Sequence, residues 1–238
     1  MESKEELLKV ANGRLHPSLT HHSYLVLRRR SQLIRGWMQR VEGNTLRVLE
    51  VGGRYQPYRP LIEHRTRQYV ALDIIKSPLM DIVGNGEHLP FRPGTFDLVV
   101  ATQVLEYFPE PKKPVQEIFS VLKPGGFVIA SVAAVCPRAV PEEHWRILPA
   151  GLRYIFSDFT EVEIVAEASS VGSFFRYLNW SLNIFCRYEG IRQVVNHTAV
   201  PCLNLGGLAL EHLVKSRNDN LTGNYSVLAR KPFEPQPN

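Results

Sequence analysis

The chain has 238 residues, 28 basic and 23 acidic, with 44% hydrophobic and 21% charged residues. That length leaves room for a sizeable core in one large domain, or a domain with an appendage, and the composition excludes a disordered or fibrous chain. The net charge of +5 is uneven: residues 1–45 hold eight Lys/Arg and four Asp/Glu, leaving +1 on the remainder, so the main body gives no reason to expect a nucleic-acid partner.

The N-terminus, MESKEELLKVANGR, lacks the apolar core of a secretory signal, and no apolar run approaches the roughly 18–20 residues that span a bilayer. Three widely spaced cysteines, Cys136, Cys186 and Cys202, make neither a disulfide framework nor a zinc site. A reducing, cytoplasmic location is expected. Residues 18–41 place Leu25, Leu33, Ile34, Trp37 and Met38 among arginines, which predicts an amphipathic helix with a basic polar face.

The period then changes. Short apolar runs at 46–51, 69–74, 96–102 and 127–132 suit strands buried on both faces. Helices are expected at 57–65 and 112–122, the second stopped by Lys123-Pro124-Gly125-Gly126. Later strands are expected at 160–166 and 225–231. The aromatic, helix-like residues 171–217 between them are too long for a hairpin loop and read as an inserted helical cap. The alternation predicts a doubly wound α/β sheet, its ligand at the carboxyl ends of the strands. Residues 1–45 form an N-terminal helical extension to a domain spanning 46–238.

The sharpest unit is Glu50-Val51-Gly52-Gly53, a buried strand ending in glycines ahead of an expected helix. Glycine permits close backbone approach, and a helix start supplies free N–H groups. Asp73 follows at the tip of the second strand, where an acidic side chain accepts hydrogen bonds from ribose hydroxyls. Together these point to a nucleoside-containing cofactor. A dinucleotide fingerprint is missing, because Arg54 and Pro57 stand where its glycines belong. Neither a metal-ligating His spacing nor a nucleophile elbow is present, so no metal is expected.

Further on come Gly84-Asn85-Gly86-Glu87-His88-Leu89-Pro90-Phe91, Thr95-Phe96-Asp97-Leu98-Val99, Gln103-Val104-Leu105-Glu106-Tyr107 and Leu122-Lys123-Pro124-Gly125-Gly126. In this order and spacing the chain resembles the class I S-adenosylmethionine-dependent methyltransferases, particularly the type 11 group, over about residues 46–135. The resemblance implies a Rossmann-like, seven-stranded, mostly parallel sheet with helices on both faces, S-adenosylmethionine as cofactor and a small-molecule methyl acceptor. It implies that Glu50 helps hold the methionine ammonium group and that Gly52 and Gly53 line the loop beneath methionine and ribose. Asp73 binds the ribose, Ile74 packs on the adenine, and Asn85 faces the adenine amino group, with Gly86 and Glu87 continuing that loop. Gln103 reaches the methionine end. The family loop usually has two further glycines, here replaced by Arg54 and Gln56. Either Arg54 pairs with the methionine carboxylate, or the loop no longer admits the cofactor and the protein is a non-catalytic binding or scaffold protein.

Methyl transfer from a sulfonium needs positioning above all, and a base only where the acceptor loses a proton. Tyr107 and His144 are the candidates, each with a packing role as the alternative. The segment Trp145-Arg146-Ile147-Leu148-Pro149-Ala150-Gly151-Leu152 resembles an element of methyltransferases acting on cell-surface polysaccharides and glycolipids, which suggests a sugar or lipid-linked glycan intermediate as acceptor. The basic helix and the aromatic cap leave a peripheral membrane contact open.

Overall fold

The computed structural model describes residues 2–138, 140–214 and 218–233. Two N-terminal helices, α1 (Lys4–Leu15) and α2 (Tyr24–Arg40), precede the sheet. The strands are β1 (Leu46–Val51), β2 (Thr66–Asp73), β3 (Ile82–Val83), β4 (Phe96–Thr102), β5 (Leu122–Ala133), β6 (Thr160–Ala166) and β7 (Asn224–Arg230). Helix α3 (Lys112–Val121) leads into β5, and α4 (Pro149–Ile155) precedes β6. Helices α5 (Ser170–Phe185), α6 (Glu189–His197) and α7 (Ala199–Val214) lie between β6 and β7.

The sheet order is β3-β2-β1-β4-β5-β7-β6, parallel except that β7 runs antiparallel to β5 and β6. Because successive side chains in a strand face opposite ways, each central strand feeds two cores. Leu49, Val51, Val99 and Val128 pack against Val115 and Ile118 of α3 and Leu152 of α4. Val48, Leu98, Val100 and Ile129 pack against Leu15 of α1 and Ile34, Trp37 and Met38 of α2. The helices therefore cover both faces, as expected.

Three local features differ from the sequence reading. Residues 57–65 form two 3₁₀ turns, Arg59–Leu61 and Glu63–Arg65, instead of a helix. Pro60 has no N–H to continue an i→i−4 ladder, so no helix start stands behind the Gly52-Gly53 loop. Helix α3 stops where Lys123-Pro124-Gly125-Gly126 predicts, but these four residues bulge within β5, whose pairing jumps from Phe96–Leu122 to Leu98–Phe127. The two-residue β3 had no signal of its own. Among the described residues, no helix is long and apolar enough to cross a membrane.

Candidate active site

The parallel strands all end at one edge of the sheet, and loops there are stitched together by backbone bonds. The N–H groups of Gly52 and Gly53 both donate to the Leu72 carbonyl, at 2.9 and 3.1 Å, folding the first loop over the tip of β2. Gly52 has φ +75°, and a Cβ there would lie 2.7 Å from Val104. The left-handed turn and the close approach both require glycine. Asp73 is half-buried, and its carboxylate accepts from the Arg54 N–H at 3.3 Å and the Ile75 N–H at 2.9 Å. The Gly84 N–H donates to the Asp73 carbonyl, bringing in the third loop. In that loop Asn85 Oδ1 accepts from the Glu87 N–H at 2.9 Å, and Gly86 is buried against Phe108 and Val51. Ile74 is 72% exposed and Val83 56%, so an apolar shelf faces solvent beside Asp73.

Glu50 is buried, and the Tyr69 hydroxyl donates to its Oε2. Burial pushes the Glu50 pKa up to about 7, against the opposing pull of that bond and of Arg59 and Arg14. The Arg54 guanidinium pairs with Glu2 at 2.6 Å. Gln56, where a glycine was missed, takes φ +50°. Its side chain is anchored at both ends, Nε2 donating to the Leu79 carbonyl and Oε1 accepting from Arg59.

Gln103 follows β4 with φ +53°. Its Nε2 donates to Ser131 Oγ at 2.9 Å, and its Oε1 accepts from Asn224 Nδ2 at 2.9 Å. From there a buried polar network runs in two directions. Ser131 and Ser226 each donate to Glu167 Oε1 at 2.7 Å, and Arg30 of α2 binds both Glu167 oxygens at 2.8 and 2.7 Å. Asn224 Oδ1 accepts from Arg176 Nη1 of α5 at 2.7 Å. Tyr107 is 38% exposed, just past β4. The N–H of His144 donates to the Glu106 carbonyl at 2.9 Å, which sets the two candidate catalytic residues side by side on neighbouring segments. Trp145 is exposed and donates its indole N–H to the carbonyls of Phe108 and Pro109. Burial raises the Tyr107 pKa.

Sequence reasoning passed over several residues of this edge. Glu106 sits inside a quoted motif and is buried, with Oε2 unpartnered and its pKa pushed by burial up to about 7. Arg14 of α1 lies 4.2 Å over the Tyr55 ring. The signal for α1 was present: Ser3 and Glu6 form a reciprocal capping box. Arg30, Glu167, Arg176 and Asn224 had no local signal, because their partners are distant in sequence. Among the described residues, no group of three His, Cys, Asp or Glu side chains is placed to hold a metal.

Residues 49–130 match the family model described as a methyltransferase domain. A crystal structure of an S-adenosylmethionine-dependent methyltransferase from Archaeoglobus fulgidus superposes with a TM-score of 0.51 at 15% identity, covering 84% of this chain and 94% of that one. Residues 49–130 thus carry a methyltransferase-domain match, and the chain shares the fold of that S-adenosylmethionine-dependent methyltransferase. A [4+2]-cyclase, SpnF, superposes equally well, with a TM-score of 0.51 at 19% identity over 85% of this chain and 82% of that one. An uncharacterised protein of Methanocaldococcus jannaschii is 34% identical over 90 residues, which is 36% of this chain and 44% of that protein. The chain thus spans less than half the length of this curated relative.

The residues present suit S-adenosylmethionine, the cofactor that the resemblance implies. A carboxylate held by two backbone N–H groups keeps lone pairs for a diol. The exposed shelf of Ile74 and Val83 next to it offers an apolar surface for a flat base. The buried carboxyl of Glu50 offers an acceptor for the ammonium of an amino-acid end.

Proposed function

We propose that this protein transfers a methyl group from S-adenosylmethionine to a small-molecule acceptor, as a methyltransferase of class EC 2.1.1. The reading rests chiefly on the convergence of Gly52, Asp73, Gly86 and Gln103 at one strand edge. In it, Asp73 holds the ribose, Ile74 packs on the adenine, and Asn85, Gly86 and Glu87 close over the base. Glu50, Gly52, Gly53 and Gln103 hold the methionine end. When bound, the cofactor supplies a sulfonium methyl that is already electrophilic, so orientation of the acceptor carries most of the rate. Tyr107 orients the acceptor through its hydroxyl, and His144 beside it takes the proton that a hydroxyl acceptor loses. Trp145 to Leu152 supports a sugar or lipid-linked glycan intermediate as acceptor, with catalysis in the cytoplasm; the basic helix and the aromatic cap leave a peripheral membrane contact open.

Isothermal titration with S-adenosylhomocysteine tests the reading. Wild type should bind, and Asp73→Ala should bind about 1–3 kcal/mol more weakly through loss of charge-assisted bonds. Absence of wild-type binding overturns the reading. It would favour a cofactor-free binding protein, for which the left-handed Gln56 in place of a glycine is the supporting observation.

A further inference from the structure

The network beneath Gln103 carries one positive charge more than it can pair. Glu167 is taken by Arg30 through both oxygens. Arg176, only 7% exposed, has no carboxylate within ion-pair distance among the described residues. Its Nη1 donates to Asn224, its Nε has no partner, and its guanidinium stacks 5.0 Å from the Trp180 ring. Arginine is almost never buried without a counter-charge, because desolvation of a lone cation is costly. Two half-buried imidazoles lie beside it and feel its charge. His22 lies 6.2 Å from Trp180 and 4.5 Å from His21, and both imidazole pKa values are depressed by burial first and then by neighbouring positive groups, Arg176 acting on each. Arg14, which also acts on His21, has no carboxylate partner among the described residues either.

The geometry points to an acid-binding subsite at Arg176, flanked by His21, His22 and Arg14, which receives a carboxylate or phosphate group of the methyl acceptor. Asn224 links Arg176 directly to Gln103, so the subsite lies one side chain away from the position assigned to the methionine end. Its occupant being the acceptor rests on the methyltransferase reading; the anion affinity of the subsite does not.

The test titrates inorganic phosphate and, separately, acetate into the full chain at constant ionic strength, following heat and tryptophan emission. Wild type should bind at least one anion saturably, the better one naming the acid group. Arg176→Gln should weaken that binding tenfold or more and Arg14→Gln at least threefold, whereas Arg54→Gln, a guanidinium engaged by Glu2, should leave it unchanged. S-adenosylhomocysteine is titrated alongside. If it binds wild type and neither anion does, the acid subsite is wrong. If an anion binds through Arg176 and S-adenosylhomocysteine does not, the subsite stands and the methyltransferase reading falls. Should Arg176→Gln fail to fold, the wild-type titrations and Arg14→Gln decide alone.

Discussion

Replacing Glu167 by Gln tests whether the buried network holds the molecule together. The side chain is fully buried and accepts from Arg30, Ser131 and Ser226 on one oxygen, at 2.7–2.8 Å, while Arg30 Nη2 sits 2.7 Å from the other. An amide in that place keeps the volume but leaves the buried Arg30 cation without a counter-charge. Removing one partner of such a pair costs about 3–5 kcal/mol. For a chain of this size that lowers Tm by roughly 6–20 °C, at about 2–4 °C per kcal/mol. Urea denaturation should show the midpoint falling with an unchanged slope. The exposed pair Arg40–Glu163 is the control, and Glu163→Gln should cost about 1 kcal/mol at most. The double variant Arg30→Met with Glu167→Leu should recover most of the loss, since no charge is then left unpaired. A Glu167→Gln protein within about 1 kcal/mol of wild type would refute the reasoning, because Arg30 would then have found water or another acceptor.

Three further outcomes follow from particular atoms. Burial raises the Glu50 and Glu106 carboxyls from 4.5 to about 7, so the folded state binds more protons than the unfolded one between those values. Their stabilising contribution is complete below pH 4.5 and is lost as pH rises through 7; Glu106→Gln should flatten that slope and be the more stable protein at pH 8 in urea titrations. Gly52→Ala forces a left-handed alanine against Val104 and should destabilise by about 2–4 kcal/mol, whereas Gly36→Ala, inside α2 with open space around it, should stabilise by about 0.5–1 kcal/mol; equal thermal shifts for the two would contradict this. Arg54→Ala removes only a partly exposed pair with Glu2, so S-adenosylhomocysteine affinity by titration should stay within about threefold of wild type; a loss of tenfold or more would restore Arg54 to the ligand.

The sheet was legible because its residues announce themselves locally. Runs such as Val48-Leu49 and Leu98-Val99-Val100 must feed two cores at once, and only a buried parallel strand asks for that. The ordered loop motifs at Asp73, Gly86 and Gln103 were legible for the same reason: each is a short stretch whose backbone has one task. Features set by tertiary context were not. The pattern at 57–65 reads as helical, yet Pro60 divides it into two 3₁₀ turns. Arg54 stands in the loop like a ligand residue, and nothing nearby in sequence says that Glu2, fifty-two positions away, will take it.

The basic N-terminal segment shows most clearly how composition and structure divide the work. Counted in sequence, its arginines look like one charged surface. In the fold, Arg28, Arg29, Arg35 and Arg40 face solvent, while Arg30 turns inward from the same helix to Glu167 and Arg14 lies against Tyr55. The extension therefore contributes side chains to the functional edge instead of merely preceding the domain. The loop after α1 is fastened there too, with Asn204 of α7 donating to the carbonyls of Leu19 and His21. Since Arg30 and Arg176 meet the same network through Glu167 and Asn224, N-terminal extension, sheet edge and cap form one hydrogen-bonded unit around Gln103. A change in any of the three should be felt at the position of Gln103, and this makes deletion of residues 1–40 a change to the candidate site as much as a truncation.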